Sequence, residues 1–335
     1  MAEPRRKAAV AQETRNDDPQ IELGLNAAIV TVREGQPYIL VARPGTGSDA
    51  WDALPFGPFA PRAHRTLEIG LREWVKRQTG LDLGYVEQLY TFGDRGRHAE
   101  PGGAHTLSVG YLALTRGAGD ELLGSHWSPW YAYFPWEDWR KGKPPILSRQ
   151  IEPKLKEWAE RPPLPDDPAR ALRRPERLRT SFGIGGGWDE EKVLDRYELL
   201  YEAGLVAEAA HDGRPAAEQW SDLPEFGRPM AFDHRRILAT ALGRLRGKLK
   251  YRPVVFELLP PEFTLFELQK TVEAISGTLL HKQNFRRLVE QGGLVEATGN
   301  VSTETGGRPA RLYRFRREVV LERPAPGLRV KAGRG

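Results

Sequence analysis

The chain has 335 residues, 39% hydrophobic and 28% charged, which describes a globular protein with room for about two domains. It contains no cysteine, which excludes disulfides, thiolate metal sites and cysteine nucleophiles, and no apolar run is long enough to span a bilayer. The net charge of +5 is unevenly placed: residues 231–335 hold 20 Lys+Arg against 10 Asp+Glu, a net of +10, leaving 30 against 35, a net of −5, for residues 1–230. A basic third on an acidic body reads as an attached nucleic-acid-binding module or as a solvated basic surface.

Residues 1–20 have no apolar h-region and read as a disordered tail rather than a secretory signal, which fits a cytoplasmic chain. Residues 21–32 (IELGLNAAIVTV) and 38–42 (YILVA) read as strands separated by the turn Glu34-Gly35-Gln36-Pro37. Thr66 caps a predicted helix through Gln78. Its apolar positions Leu67, Leu71, Trp74 and Val75 recur at helical spacing, and Gly80 ends it. Two more strand-like runs follow, 85–92 and 107–114, separated by the turn-rich loop 93–106. The aromatic-dense segment from Trp127 to Trp139 reads as a packed strand leading into a helix.

The stretch Trp51–Leu81 ends in Thr79-Gly80-Leu81, which matches the end of the Nudix pyrophosphohydrolase signature G-x5-E-x7-R-E-U-x-E-E-x-G-U. Anchoring on Gly80 puts Phe59 at the first glycine, Arg65 at the first glutamate and Glu73 at the arginine. Trp74 then falls on the next glutamate, with Arg77 and Gln78 on the paired glutamates. In hydrolases those glutamates hold the divalent cations that activate water. Trp, Arg and Gln do not, because hard cations need anionic oxygen ligands. The segment therefore argues for a binding module with no catalytic residues and no metal.

Residues 141–185 are rich in Pro, Gly and Arg and read as linker, with a short helix near Glu152–Glu160. Residues 188–210 read as a helix or helix pair broken near Gly204. Residues 232–247 form an amphipathic helix with Ile237, Leu238, Ala241, Leu242 and Leu245 on one side. His234, Arg235, Arg236, Arg244 and Arg246 lie mostly on the others. With no nucleophile or carboxylate pair nearby in sequence, His234 reads as structural.

Val254–Leu259 reads as a short strand. Thr264 and Glu267 then form a capping box for a helix over 265–276. After Gly277-Thr278 comes a second helix, 281–291, with Phe285, Leu288 and Val289 inward and Lys282, Gln283, Arg286 and Arg287 outward. This is the pattern of a helix-turn-helix, whose second helix enters the major groove. Arg and Lys suit guanine edges, and Asn and Gln suit adenine edges. Leu294–Glu296, a polar loop over Ala297–Pro309 and the run 310–317 read as a β-hairpin wing. Arg308 is placed for backbone or minor-groove contact, and Arg311, Arg314, Arg316 and Arg317 add phosphate-binding charge. A winged helix can also serve protein binding alone.

The run LEIGLREWVKRQTGLDLGYVEQLYTFGDRGR, followed by LSVGYLAL, resembles the Nudix domain of NrtR-type transcriptional regulators of NAD metabolism. The run from AFDHRRILATALGRLRG through NFRRLVEQGGLVEATG to GGRPARLYRF resembles their linker helix and winged helix. The resemblance covers roughly 21–140 and 230–317. The insert at about 141–228 and the overall length look more like NadQ, the alphaproteobacterial regulator of NAD synthesis genes. The implied fold class is α+β: a Nudix-like α/β/α sandwich with a degenerate box, plus a winged helix-turn-helix. The implied layout is a tail at 1–20, an effector domain at 21–140 and an insert at 141–230 with a helix near 188–210. A linker helix at 231–249, a winged helix at 250–322 and a basic tail at 323–335 complete it.

The resemblance implies a homodimer that binds double-stranded DNA at a palindromic operator and represses NAD biosynthesis genes. It also implies an adenine nucleotide effector, ATP or the NAD-derived ADP-ribose or NAD itself, with no required cofactor and no membrane partner. Carried over by position, DNA contacts come from Lys282, Gln283, Asn284, Arg286, Arg287, Arg308, Arg311 and Arg314. For the pocket, Arg43, Arg62, Arg65 and Arg72 are candidate phosphate partners, because Arg pairs bidentately with phosphate oxygens. Asp94 and Arg95 line the expected cleft, and Trp51 or Phe56 stacks on adenine. The rival reading is a divergent Nudix pyrophosphohydrolase acting on ADP-ribose or dinucleotides, with Glu68 and Glu73 binding a metal in a shifted register.

Overall fold

The computed structural model describes residues 21–42, 51–94, 105–117, 124–162, 173–222, 225–303 and 309–328. Residues 1–20 and 329–335, and the expected site residues Arg43, Arg95 and Arg308, lie outside them.

The N-terminal half is built on a six-stranded sheet with the path β4-β5-β1-β2-β6, and β3 pairing β1 off that path. The strands are β1 Ile21–Arg33, β2 Gln36–Ala42, β3 Phe56–Pro58, β4 Tyr85–Phe92, β5 His105–Leu114 and β6 Ser125–Pro129. β1 and β5 run parallel, with Ile21 opposite His105 and Val30 opposite Leu114, and the other pairings are antiparallel. Alternation along β1 sorts its side chains onto two faces. Leu25, Ala27 and Ile29 pack with Leu71 and Val75 of α1 (Leu67–Thr79), while Ala28 and Val30 join the larger core on the opposite face. α1 forms as its sequence predicts. The Thr66 hydroxyl accepts the Ile69 N–H at 3.2 Å, and Gly80 ends the helix at φ 70°.

The helices expected near Glu152–Glu160 and over 188–210 form, and the rest of the described segment, expected to be linker, adds two more. Together, helices α2 (Glu152–Glu160), α3 (Arg174–Phe182), α4 (Val193–Glu202), α5 (Ala207–His211) and α6 (Pro215–Glu218) bury Ile151, Leu155, Trp158, Leu178, Phe182, Tyr197 and Leu200. These side chains join the same core as the sheet. Prolines that suggest a linker in sequence sit in the first turns of α2, α3 and α6, where the missing N–H has no intrahelical acceptor. The break expected near Gly204 separates α4 from α5. That glycine adopts φ 72°, and a Cβ there would lie 2.4 Å from the Ala217 nitrogen.

The linker helix α7 spans His234–Tyr251 and buries Ile237, Leu238, Ala241, Leu242 and Leu245. Gly110 of β5 lets Ile237 approach the sheet, since a Cβ would meet its side chain at 2.9 Å. Arg235 and Arg246 differ from expectation. They are 1% and 2% exposed, because carboxylates from other elements meet them inside the core. Val254–Leu258 is a 3-10 turn rather than a strand, a distinction that a short apolar run does not carry.

The C-terminal module contains β7 (Phe263–Thr264), α8 (Leu265–Ser276), α9 (Lys282–Gly292), β8 (Val295–Ser302), β9 (Ala310–Phe315) and α10 (Val319–Glu322). Its sheet has the order β7-β9-β8. The capping box is complete: Glu267 N–H donates to Thr264 Oγ1 at 3.1 Å, and Thr264 N–H donates to Glu267 Oε2 at 2.6 Å.

Candidate nucleic-acid interface and effector pocket

On α9, Phe285 and Val289 are buried and Leu288 is half-buried. This three-and-four spacing turns Lys282, Gln283, Asn284, Arg286 and Arg287 to solvent. Among the described residues, Lys282, Arg286 and Arg287 have no carboxylate partner, so their charge is open to an external anion. Arg311 and Arg314 of the wing are exposed. Arg314 donates to Glu296 Oε1 at 2.6 Å, which compensates part of its charge on the protein itself.

Side chains at the positions aligned with the Nudix signature make structural contacts. Gln78 pairs with both backbone groups of Phe56: Phe56 N–H donates to its Oε1 at 3.1 Å, and its Nε2 donates to Phe56 O at 2.6 Å. Trp74 Nε1 donates to Pro58 O at 2.9 Å, and its indole covers Gly57 so closely that a Cβ would lie 2.1 Å away. Two of the positions where a hydrolase carries metal ligands thus bind α1 to β3. Arg77 lies over the Trp74 ring at 4.7 Å. Glu68 pairs with Arg72 at 2.8 Å, and Glu73 lies 3.5 Å from His64 Nε2. Among the described residues no group of three His, Asp or Glu is placed to hold a metal ion.

A cavity of about 280 Å³ lies where β1, β3 and the end of β4 meet the start of α7. Phe56, Phe92 and Phe232 give it aromatic walls, and Asn26, Ser108, Asp94, Asp233 and His234 give it polar ones. A few polar groups converging in an apolar cleft describe a small-molecule site. Its floor joins the sheet to the linker helix. His234 Nδ1 accepts the Leu54 N–H at 2.9 Å, which fixes the proton on Nε2, 2.8 Å from Asn26 Oδ1. Phe232 holds φ 55°, an uncommon backbone conformation for a side chain of this size, and is partly exposed at the rim. Arg236 ties this corner together, pairing with Asp94, with Asp233 at 3.3 Å and with Glu198 at 2.6 Å. A more open groove of about 350 Å³ lies between α4 and α7 and has Tyr90 and Arg244 on its walls.

Of the residues expected at the pocket, Phe56 and Asp94 line this cavity. Trp51 packs on the His211 ring at 5.1 Å instead, and Arg62 and Arg65 are exposed in the turn before α1. Arg72 departs from the expected phosphate role: its guanidinium donates to Glu68 and to the carbonyls of Leu83 and Gly84. Sequence reasoning missed Asn26, Phe232 and His234 as pocket residues, which two segments far apart in the chain, β1 and the start of α7, bring together.

At its other end α7 meets the winged helix around a buried carboxylate. Glu137, 1% exposed, accepts from Arg196 Nε at 2.6 Å and from Arg246 Nη1 at 2.6 Å. Burial alone would raise its pKa. The charges and hydrogen bonds of Arg196 and Arg246 together outweigh burial and hold it below the usual carboxylate range. Arg246 Nε also donates to Ile275 O at 3.0 Å, Tyr131 hydroxyl to Ala274 O at 2.8 Å and Trp139 N–H to Gly277 O at 2.7 Å. The open carbonyls at the end of α8 are therefore satisfied by the sheet domain and the linker helix.

The molecule is a Nudix-like domain joined by a linker helix to a C-terminal winged helix. Residues 255–315 match the family model described as the NrtR DNA-binding winged helix domain. The crystal structure of Shewanella oneidensis NrtR complexed with a 27mer DNA is similar at a TM-score of 0.52 and 21% identity. The alignment covers 89% of this chain and 95% of that one. A second crystal structure of Shewanella oneidensis NrtR gives a TM-score of 0.51 at the same identity and coverage. At that identity the likeness is one of fold. A curated relative, the ADPR responsive transcriptional repressor NtrR of Acinetobacter baylyi, is 46% identical over 86 residues. The match spans 26% of this chain and 34% of that protein's length.

Proposed function

We propose that this protein is a ligand-responsive transcriptional repressor of NAD biosynthesis genes that senses an adenine nucleotide in a non-hydrolytic Nudix-type pocket. The observation that carries the reading is the linker helix, 18 residues and about 27 Å long, with the cavity at its first turn and the winged helix against its last. The winged helix match and the open cations of α9 support DNA as the partner. The Acinetobacter relative's description places ADP-ribose first among the candidate effectors, ahead of ATP and NAD. The structural roles of Trp74 and Gln78 support binding without hydrolysis. The insert at 141–228 and the overall length are what suggest a NadQ-like member of the group.

In the proposed homodimer, two recognition helices read half-sites of a palindromic operator in successive major grooves. A nucleotide between Asn26, Phe56 and Phe232 touches both the sheet and the start of α7. It shifts DNA affinity only insofar as it prefers one of two orientations of the winged helices. The proposed DNA-binding role is what supports a cytoplasmic location.

The test is fluorescence anisotropy at low salt. The probes are duplexes from upstream of NAD biosynthesis genes, with and without ADP-ribose, ATP or NAD. A nucleotide-dependent change in operator affinity is expected, and absence of any DNA binding by the intact protein sinks the proposal.

A further inference from the structure

Residues 323–328, which the sequence presents as the start of a basic tail, form an ordered bridge between two helices. At one end Arg323 Nη1 donates to Gly292 O at 2.9 Å, where α9 finishes. At the other, Leu328 N–H donates to Leu249 O of α7 at 2.7 Å. The Leu328 side chain is 2% exposed, belongs to the same core as Leu249 of α7 and Val272 of α8, and lines a small cavity with Arg246 and with Thr278 from the turn before α9. Gly327 crosses α7 so closely that a Cβ would lie 2.2 Å from the Tyr251 nitrogen. Pro324 and Pro326 restrict the segment before it docks, so little conformational freedom is lost on docking.

The winged helix is also tied to the rest of the molecule through residues 252–262 and through α8, whose Leu268, Val272 and Ile275 share one core with α7 and the sheet. We propose that residues 323–328 are a strap that fixes the recognition helix at one angle to the linker helix, so that a displacement of α7 reaches the DNA-reading surface. Those ties act on α8, whereas Arg323 reaches Gly292 at the end of α9, so the strap couples the recognition helix itself to α7. This rests on the DNA-binding reading for its consequence but not for its geometry. The physical basis of the transmission is a rigid two-position element.

The chain has no native cysteine, so Glu218→Cys and Glu290→Cys place spin labels at two exposed sites, on α6 and α9, without a competing thiol. Labelled full-length protein, diluted into unlabelled protein so that distances within one chain dominate, should give one narrow distance distribution. Leu328→Asp removes the anchor, and Gly327→Val lifts the strap sterically without changing charge or the buried leucine. Broadening in either folded variant, with the ratio of operator Kd values with and without ADP-ribose moving to about 1, supports the strap. A distribution as narrow as the parent's in both variants overturns it, as does broadening with the nucleotide effect intact. If the parent protein shows no nucleotide effect on DNA binding, the functional reading fails, and the strap is judged on the distances alone.

Discussion

At the scale of single residues, Trp74 and Gln78 fasten α1 to β3 through backbone groups. Gln78→Ala leaves the N–H and C=O of Phe56 without their partner and should cost about 1–2 kcal/mol. Trp74→Ala also removes the ring that covers Gly57 and should cost about 2–4 kcal/mol. Urea denaturation with an unchanged m-value would check both. Replacing Trp74, Arg77 and Gln78 together by glutamate should give an unstable protein without metal-dependent turnover of ADP-ribose, as followed by product chromatography. Glu137 makes a separate case. Glu137→Gln leaves Arg196 and Arg246 buried with too little negative charge and should cost about 3–5 kcal/mol. Because its folded pKa is lowered, the carboxylate stabilises fully above the ordinary range near 4.5, and that stability is lost as pH falls through the lower folded value. Denaturation midpoints below that range should therefore fall less steeply with pH in Glu137→Gln than in the parent. The identities of the box residues were legible in the sequence. Their new partners were not, because Phe56 and Pro58 lie 22 and 16 positions away and carry only backbone groups to the contact.

At the scale of elements, local rules performed well wherever a helix or strand carries its own ends. Thr66 with Gly80, and Thr264 with Glu267, mark α1 and α8 in the chain itself, and both caps form. Thr264→Ala should destabilise the start of α8 by about 1 kcal/mol, measurable as a lowered melting temperature with DNA affinity little changed. On α9, Arg286→Ala should weaken operator binding by about 1–3 kcal/mol if it reads a base, whereas a phosphate-contacting Lys282 or Arg287 should lower the salt slope by about 1. Arg314→Ala should cost less than Arg311→Ala, because Glu296 already compensates part of the Arg314 charge. Anisotropy titrations over a range of salt separate these cases. The helices near 152–160 and over 188–210 form as expected, and the element-scale miss was α3 and α6 together with the packing of the whole segment into the core. The segment's prolines and arginines carry a loop's composition, and only the sheet's large apolar face shows that Leu155, Trp158, Leu178 and Phe182 have somewhere to be buried.

At the scale of the whole molecule, one helix joins a cavity to a winged helix. Phe232→Ala should weaken nucleotide binding by about 1 kcal/mol, roughly fivefold, through lost ring contact, while leaving nucleotide-free operator affinity unchanged. Calorimetry against ADP-ribose, ATP and NAD measures that loss and ranks the effectors. By itself the sequence determined what is encoded locally: the strand pattern of the sheet, the capped helices, the absence of box acids and a basic α9 with outward cations. These follow from periodicity, caps and side-chain chemistry within a few residues of chain. The tertiary structure alone decided that Asn26, Phe56 and His234 share one cavity, that Arg235 and Arg246 are buried ion pairs, and that residues 323–328 return to the linker helix. Each of these joins residues far apart in sequence, and the burial that makes the pairing necessary exists only once the sheet and helices have packed.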